Sequence, residues 1–163
     1  MKIPWYIHGN WKLDPAQLQT LESLKQAQET RENKDKDLQD LDFLHSFYKE
    51  RVDEIAKDQF FFNTSLIYFD FWIQVYNKLS NHPIHDHFGC GDNVVISFVH
   101  FLRPVDICFE FTDERQSLVP QQQEGDLIVF PSYVTHRVKQ HDSNENRIVV
   151  AGNIKISKHI ELS

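Results

Sequence analysis

The sequence predicts a mainly β fold: a sandwich or barrel, of which the jelly roll is one solution, preceded by two helices. Three observations predict it. The hydrophobic period changes from helical to alternating at Phe60, and short apolar segments then recur between turn signals up to residue 156. The composition suits a packed aromatic β core, with 13 Phe, 40% hydrophobic and 13% aromatic residues, but only five Gly and one Met. The length of 163 residues fits one domain, 1–163, with residues 1–59 helical and residues 60–163 forming a β core.

The elements follow in order. Asp14-Pro15 with Gln17 reads as a helix start, because Asp caps, Pro suits the first helical position and Gln can reach back. Leu18, Leu21 and Leu24 then recur at helical spacing. Residues 31–37 are all polar and read as a loop or helix end. A second helix carries Leu38, Leu41, Leu44, Tyr48, Val52 and Ile55 on one stripe, with charged residues on its other face. Residues 66–76 alternate as a strand. Ile67, Phe69, Phe71, Ile73 and Val75 share one face, and Tyr68, Asp70, Trp72, Gln74 and Tyr76 share the other. The second face, aromatic bodies with polar tips, has the character of a cleft wall. Further strands are expected at 94–102, 106–111, 126–130, 133–138 and 147–156. Arg103-Pro104, Glu124-Gly125, Pro131-Ser132 and the polar run 139–146 separate them.

Charge and motif content narrow the function. The net charge is −7 and the pI near 5.7, which disfavours nucleic acid as partner. No run reaches the ~18 apolar residues of a membrane span. The first residues lack the pattern of a signal peptide. Two cysteines, Cys90 and Cys108, are too few for a disulfide framework, so a soluble, reducing, cytoplasmic setting is expected. Cys90 and Cys108 read as small core residues. Glycine-rich phosphate loops, Ser-His-Asp signatures and C-x-x-C pairs are absent.

The nine histidines carry the functional argument. In HPIHDH, residues 82–87, His85 and His87 are two apart and project from one face of an extended chain, where they can share a metal. His82 is three from His85 and should point the other way. His136 lies in a later strand that antiparallel pairing can bring across. Three such ligands leave coordination positions open, as in the facial triads of non-haem iron oxygenases. Asp86 should face away, but a bulge would make it an alternative ligand. Arg147 opens the last strand, 11 residues after His136, and a guanidinium there can clamp a carboxylate bidentately.

These residues resemble the 2-oxoglutarate/Fe(II)-dependent dioxygenases, a family with a double-stranded β-helix core. The likeness runs from about Phe69 to Ile156. The family's His-x-Asp/Glu, distal His and later Arg correspond to His85-Asp86-His87, His136 and Arg147. Gln74 and Tyr76 stand where the nucleic-acid-dealkylating branch has Asn-x-Tyr. The stretches 125–136 and 147–154 are similar to small, uncharacterised bacterial and phage members, for which the setting would be the host cytoplasm. Two positions depart from the pattern: His87 replaces the usual carboxylate, and Val149 stands where Ser or Thr is frequent.

The resemblance implies Fe(II) held by His85, His87 and His136, and 2-oxoglutarate bound by Arg147 with Tyr76 and Gln74. It implies oxidation of a small molecule or a side chain, with decarboxylation of 2-oxoglutarate to succinate. Trp72, Tyr68 and His100 are candidate pocket walls, core packing being the other use of such residues on strands. Two alternatives stand beside this. One is a cupin-type three-histidine dioxygenase or isomerase, with Asp92 near an acidic-ligand position. The other is a non-catalytic jelly-roll binding or assembly module. The helical third would cover one sheet or form a homodimer contact.

Overall fold

Asp14 starts the first helix as a reciprocal cap. Its carboxylate accepts from the Gln17 amide at 2.8 Å, and the Gln17 side chain accepts from the Asp14 amide at 3.1 Å. The computed structural model describes residues 2–30, 42–60, 67–88, 93–113 and 115–156. In chain order the elements are β1 (Tyr6–Asn10), α1 (Pro15–Thr30), α2 (Asp42–Phe60), β2 (Ile67–Tyr76), β3 (His82–His85) and β4 (Val94–Arg103). They continue with β5 (Phe109–Thr112), β6 (Ser117–Leu118), β7 (Asp126–Pro131), β8 (His136–Val138) and β9 (Arg147–Ile156). The expected polar loop 31–37, Leu38, Leu41, Cys90 and Asp92 lie outside the described residues.

The strands form two antiparallel sheets. The larger has the order β1-β7-β4-β9-β2, and the smaller β3-β8-β5-β6. Apart from β1, the chain winds between them: β2 to the larger, β3 to the smaller, β4 back, β5 and β6 to the smaller, then β7, β8 and β9 alternately. This is the jelly-roll winding of a double-stranded β-helix. β1, which the sequence pattern did not predict, extends the larger sheet by pairing with β7. Two expected strands are shorter. The one expected at 106–111 begins at Phe109, and the one expected at 133–138 begins at His136, after a turn.

Two core layers flank the larger sheet. On one side Leu18 and Leu21 of α1 and Leu44, Tyr48, Val52 and Ile55 of α2 pack against Ile73, Phe98, Val150 and Ile154. Each such fully buried aliphatic side chain contributes roughly 1.5–3 kcal/mol. The helical third thus covers a sheet face, one of its two expected uses. On the other side Tyr76, Val99, Phe101, Phe109, Phe111, Phe130 and Val149 fill the space between the sheets. Free Cys108 lies in this second layer, buried as expected. The alternation of β2 therefore has a direct meaning: Ile67, Phe69, Phe71, Ile73 and Val75 face the helices, and Trp72, Gln74 and Tyr76 face the cleft between sheets.

Two glycines hold the larger sheet in register. Gly125 turns the chain into β7 at φ +88°, donating to Phe101 O at 2.7 Å and accepting from the Trp11 amide at 2.8 Å. Gly152 on β9 faces the Phe98 ring and leaves no room for a Cβ, which would lie 2.7 Å from Asp70 O. No described helix is long and apolar enough to cross a membrane.

Candidate metal centre

Three histidines converge at one end of the cleft. His85 on β3 is the direct cross-strand partner of His136 on β8. His87 follows β3, its amide donating to Ser132 O at 2.9 Å. Ser132 is in turn fixed by its hydroxyl to Val94 O at 3.0 Å. The ring centroids are 4.3 Å apart for His85–His136, 5.1 Å for His87–His136 and 5.4 Å for His85–His87. One ligating nitrogen from each lies within 4.8 Å of the others.

Hydrogen bonds select the tautomer of all three rings. His85 Nδ1 donates to Pro83 O at 2.7 Å, His136 Nδ1 to Val134 O at 3.0 Å, and His87 Nδ1 to the Asn153 side-chain oxygen at 2.6 Å. With each Nδ1 carrying the proton, each Nε2 keeps its lone pair for a metal. Burial pushes His136 down to about 3 and lowers His87. Both rings are therefore neutral at physiological pH, as ligation requires. The donor set fits a divalent cation that accepts imidazole nitrogen and leaves coordination sites open.

At the other end of the cleft lies Arg147. It is fully buried, and among the described residues its Nε and both Nη atoms have no hydrogen-bond partner. Its guanidinium faces the rings of Tyr76 at 5.4 Å and Phe101 at 5.6 Å. Burial lowers its pKa. A buried guanidinium with no partner is costly, and an anion entering the cleft satisfies it bidentately. Tyr76, paired with Arg147 across β2 and β9, has its hydroxyl pushed up to about 12 by burial, so it is a neutral hydrogen-bonding group. Gln74 and Trp72 line the same cleft, and the Trp72 ring is 5.7 Å from that of His87.

Three expectations need correction. His82 does not point away: it lines the cleft, stacks on His85 at 4.0 Å between centroids, and meets the Tyr76 hydroxyl at 3.4 Å. The cause is a register shift between His82 and His85 in the β3–β8 ladder, which inserts a residue and reverses the alternation. His100 is no pocket wall. It faces the helix layer, where its Nε2 donates to Trp11 O at 2.8 Å and its Nδ1 accepts from Tyr48 at 2.7 Å. Its neighbours Val99 and Phe101 take the cleft side of β4. Tyr68 lies toward the far end of β2, 59% exposed and outside the cleft lining. Asp86 stands outside the triad, as its alternation with His85 and His87 predicts, and its carboxylate accepts from the Phe88 amide at 3.0 Å.

Asn153 was missed altogether. A polar residue in the apolar run of β9 was the available signal, because a buried amide must find a partner. Its oxygen accepts from both His87 and Ser97, the latter at 2.9 Å.

Residues 100–153, about a third of the chain, match the family model described as "Putative 2OG-Fe(II) oxygenase". That stretch contains His136, Arg147 and Asn153. No curated protein sequence matches the chain. Among solved structures, a Pseudomonas putida prolyl-4-hydroxylase is similar at 16% identity and TM-score 0.61, over 96% of this chain and 87% of that one. A 2OG-Fe(II) oxygenase family oxidoreductase from Burkholderia pseudomallei is similar at 18% identity and TM-score 0.54, over 64% of this chain and 51% of that one. A Phytophthora capsici prolyl 4-hydroxylase is similar at 15% identity and TM-score 0.56, over 86% of this chain and 54% of that one. The chain spans about half the length of the last two. The fold is theirs, and the family-model match over residues 100–153 covers the part of that fold that carries His136, Arg147 and Asn153.

Proposed function

We propose that the protein is a 2-oxoglutarate- and Fe(II)-dependent hydroxylase. The reaction is R–H + 2-oxoglutarate + O2 → R–OH + succinate + CO2. The observation that carries this reading is Arg147, a fully buried guanidinium with no hydrogen-bond partner among the described residues, facing the cleft that also holds the three histidines. A structural metal site needs no such cation, and neither does a cupin-type three-histidine enzyme.

In this reading His85, His87 and His136 hold Fe(II) through Nε2. Arg147 receives the far carboxylate of 2-oxoglutarate, with Tyr76 and Gln74 beside it. The bound iron and cosubstrate supply the activation of oxygen for attack on a C–H bond. The chain's own role is placement and exclusion of water. The carbonyls of Pro83 and Val134 and the Asn153 amide fix the ring orientations. Val99, Phe109, Val138, Val149 and Ala151 keep the cleft walls apolar. Trp72, 37% exposed beside His87, is the substrate-facing residue. The likeness to two prolyl 4-hydroxylases makes a prolyl side chain the first substrate to test. The buried free thiol of Cys108 suits a reducing, cytoplasmic setting.

The test is an anaerobic titration of the Fe(II)-loaded protein with 2-oxoglutarate, following the metal-to-ligand charge-transfer absorption. Wild type develops the band and Arg147→Ala requires far more 2-oxoglutarate. Stoichiometric iron with no band at any concentration overturns the reading.

A further inference from the structure

We infer that His87 makes metal retention conditional on a bound dianion, so that the cation and the dicarboxylate each hold the other in the cleft. The inference rests on the oxygenase reading of the site and concerns charge, which the cleft does not balance. All three ligand rings are neutral donors with their protons committed to Pro83 O, Val134 O and Asn153 Oδ1. Arg147 adds a buried positive charge with no partner. Among the described residues that line the cleft there is no Asp or Glu.

Two carboxylates act on His87 from outside the cleft, those of Asp86 and Asp70. Both residues are exposed and already engaged. Asp86 accepts from the Phe88 amide at 3.0 Å, and Asp70 binds Lys155 Nζ at 2.7 Å. A divalent cation entering on the three histidines therefore joins the guanidinium with no carboxylate among the described residues that line the cleft. In a low-dielectric cleft each uncompensated charge is expensive. A 2-oxo dicarboxylate supplies both missing charges. One carboxylate with the oxo group chelates the metal, and the other reaches the guanidinium. A site with Asp or Glu in place of His87 carries one of those charges permanently and depends less on the ligand. By linkage, whatever factor the dianion adds to metal affinity the metal adds to dianion affinity.

The experiment is a titration of metal-free full-length protein with Co(II) under anaerobic conditions, read by the visible d–d bands. It is run alone and with saturating 2-oxoglutarate, glutarate or oxalate. Wild type should bind Co(II) about tenfold or more tightly with 2-oxoglutarate. Glutarate lacks the chelating oxo group and oxalate lacks the far carboxylate, so each should give a smaller gain. His87→Asp should bind Co(II) more tightly than wild type when alone and gain less from 2-oxoglutarate. Equal Co(II) affinity with and without 2-oxoglutarate in wild type overturns the inference, and so does an unchanged gain in His87→Asp. If His87→Asp does not fold, the wild-type ratio and the glutarate and oxalate arms decide it. Absence of Co(II) binding in every arm is a separate result, which removes the metal-centre reading itself.

Discussion

His87 and Asn153 are joined across the cleft by a 2.6 Å hydrogen bond from the imidazole Nδ1–H to the amide oxygen. The same oxygen accepts from the Ser97 hydroxyl at 2.9 Å, and both side chains are almost fully buried. The bond does for His87 what backbone carbonyls do for His85 and His136. His87 is the one histidine of the three whose orientation depends on a side chain.

The first prediction concerns that side chain. Asn153→Leu removes the acceptor, so the His87 ring loses its fixed tautomer and orientation. Metal affinity should fall about 10- to 100-fold. Asn153→Asp keeps an oxygen in place and should retain most of the affinity. Metal titration of both variants checks this. Equal losses in the two would mean that Asn153 matters only for packing.

Arg147 should show a trade between stability and binding. In the metal-free, ligand-free protein its guanidinium is desolvated and, among the described residues, has no hydrogen-bond partner, facing the Tyr76 and Phe101 rings instead. Arg147→Met should therefore raise the stability of that state by about 1 kcal/mol. It should also abolish the further stabilisation that 2-oxoglutarate gives the metal-loaded protein. Urea denaturation of both proteins, with and without ligand, measures the two effects together. A destabilised metal-free variant would show that Arg147 has a structural role.

The sequence disclosed those features of the site that regular backbone positions, and it hid those that an irregularity or a neighbouring layer positions. His85, His87 and His136 were legible because an H-x-H pair in extended chain and a later strand histidine leave few arrangements. Arg147 was legible as a cation at the start of a strand. His82 was not, because a bulge reverses its side and a bulge has no side-chain signature here. His100 was misassigned for a different reason. β4 is buried on both faces, so alternation shows that His100 and Val99 point in opposite directions without showing which way the cleft lies. β1 was invisible because Tyr6–Asn10, with Gly9 inside it, has no alternating pattern of its own and relies on pairing with β7.

Gly152 tests the packing of β9 against Phe98 in the helix-side core layer. A methyl group there would run into the Phe98 ring and lie 2.7 Å from Asp70 O, and the strands on either side leave β9 nowhere to move. Gly152→Ala should cost about 1–3 kcal/mol, read as a lower denaturation midpoint. Gly152→Ala combined with Phe98→Leu should recover some of that loss. No recovery would place the clash at the β2 backbone.

The last prediction is acid lability of the metal-free protein. His100 is buried between Tyr48 and Trp11, and burial pushes it down to about 4 from an ordinary 6.5. Its folded-state pKa lies below its unfolded value, so at intermediate pH the unfolded chain takes up the proton and the folded chain does not. The neutral ring's contribution is fully present above pH 6.5 and declines as pH falls toward 4, by about 3 kcal/mol over the window. His136, held at about 3, adds to the same decline and extends it further into acid. The urea midpoint should therefore fall steeply between pH 6.5 and 4. His100→Gln, which keeps a donor for Trp11 O and an acceptor for Tyr48, should show a shallower fall over that window whatever its stability at pH 7.5. An unchanged slope in His100→Gln would assign the acid lability to the histidines of the candidate metal centre.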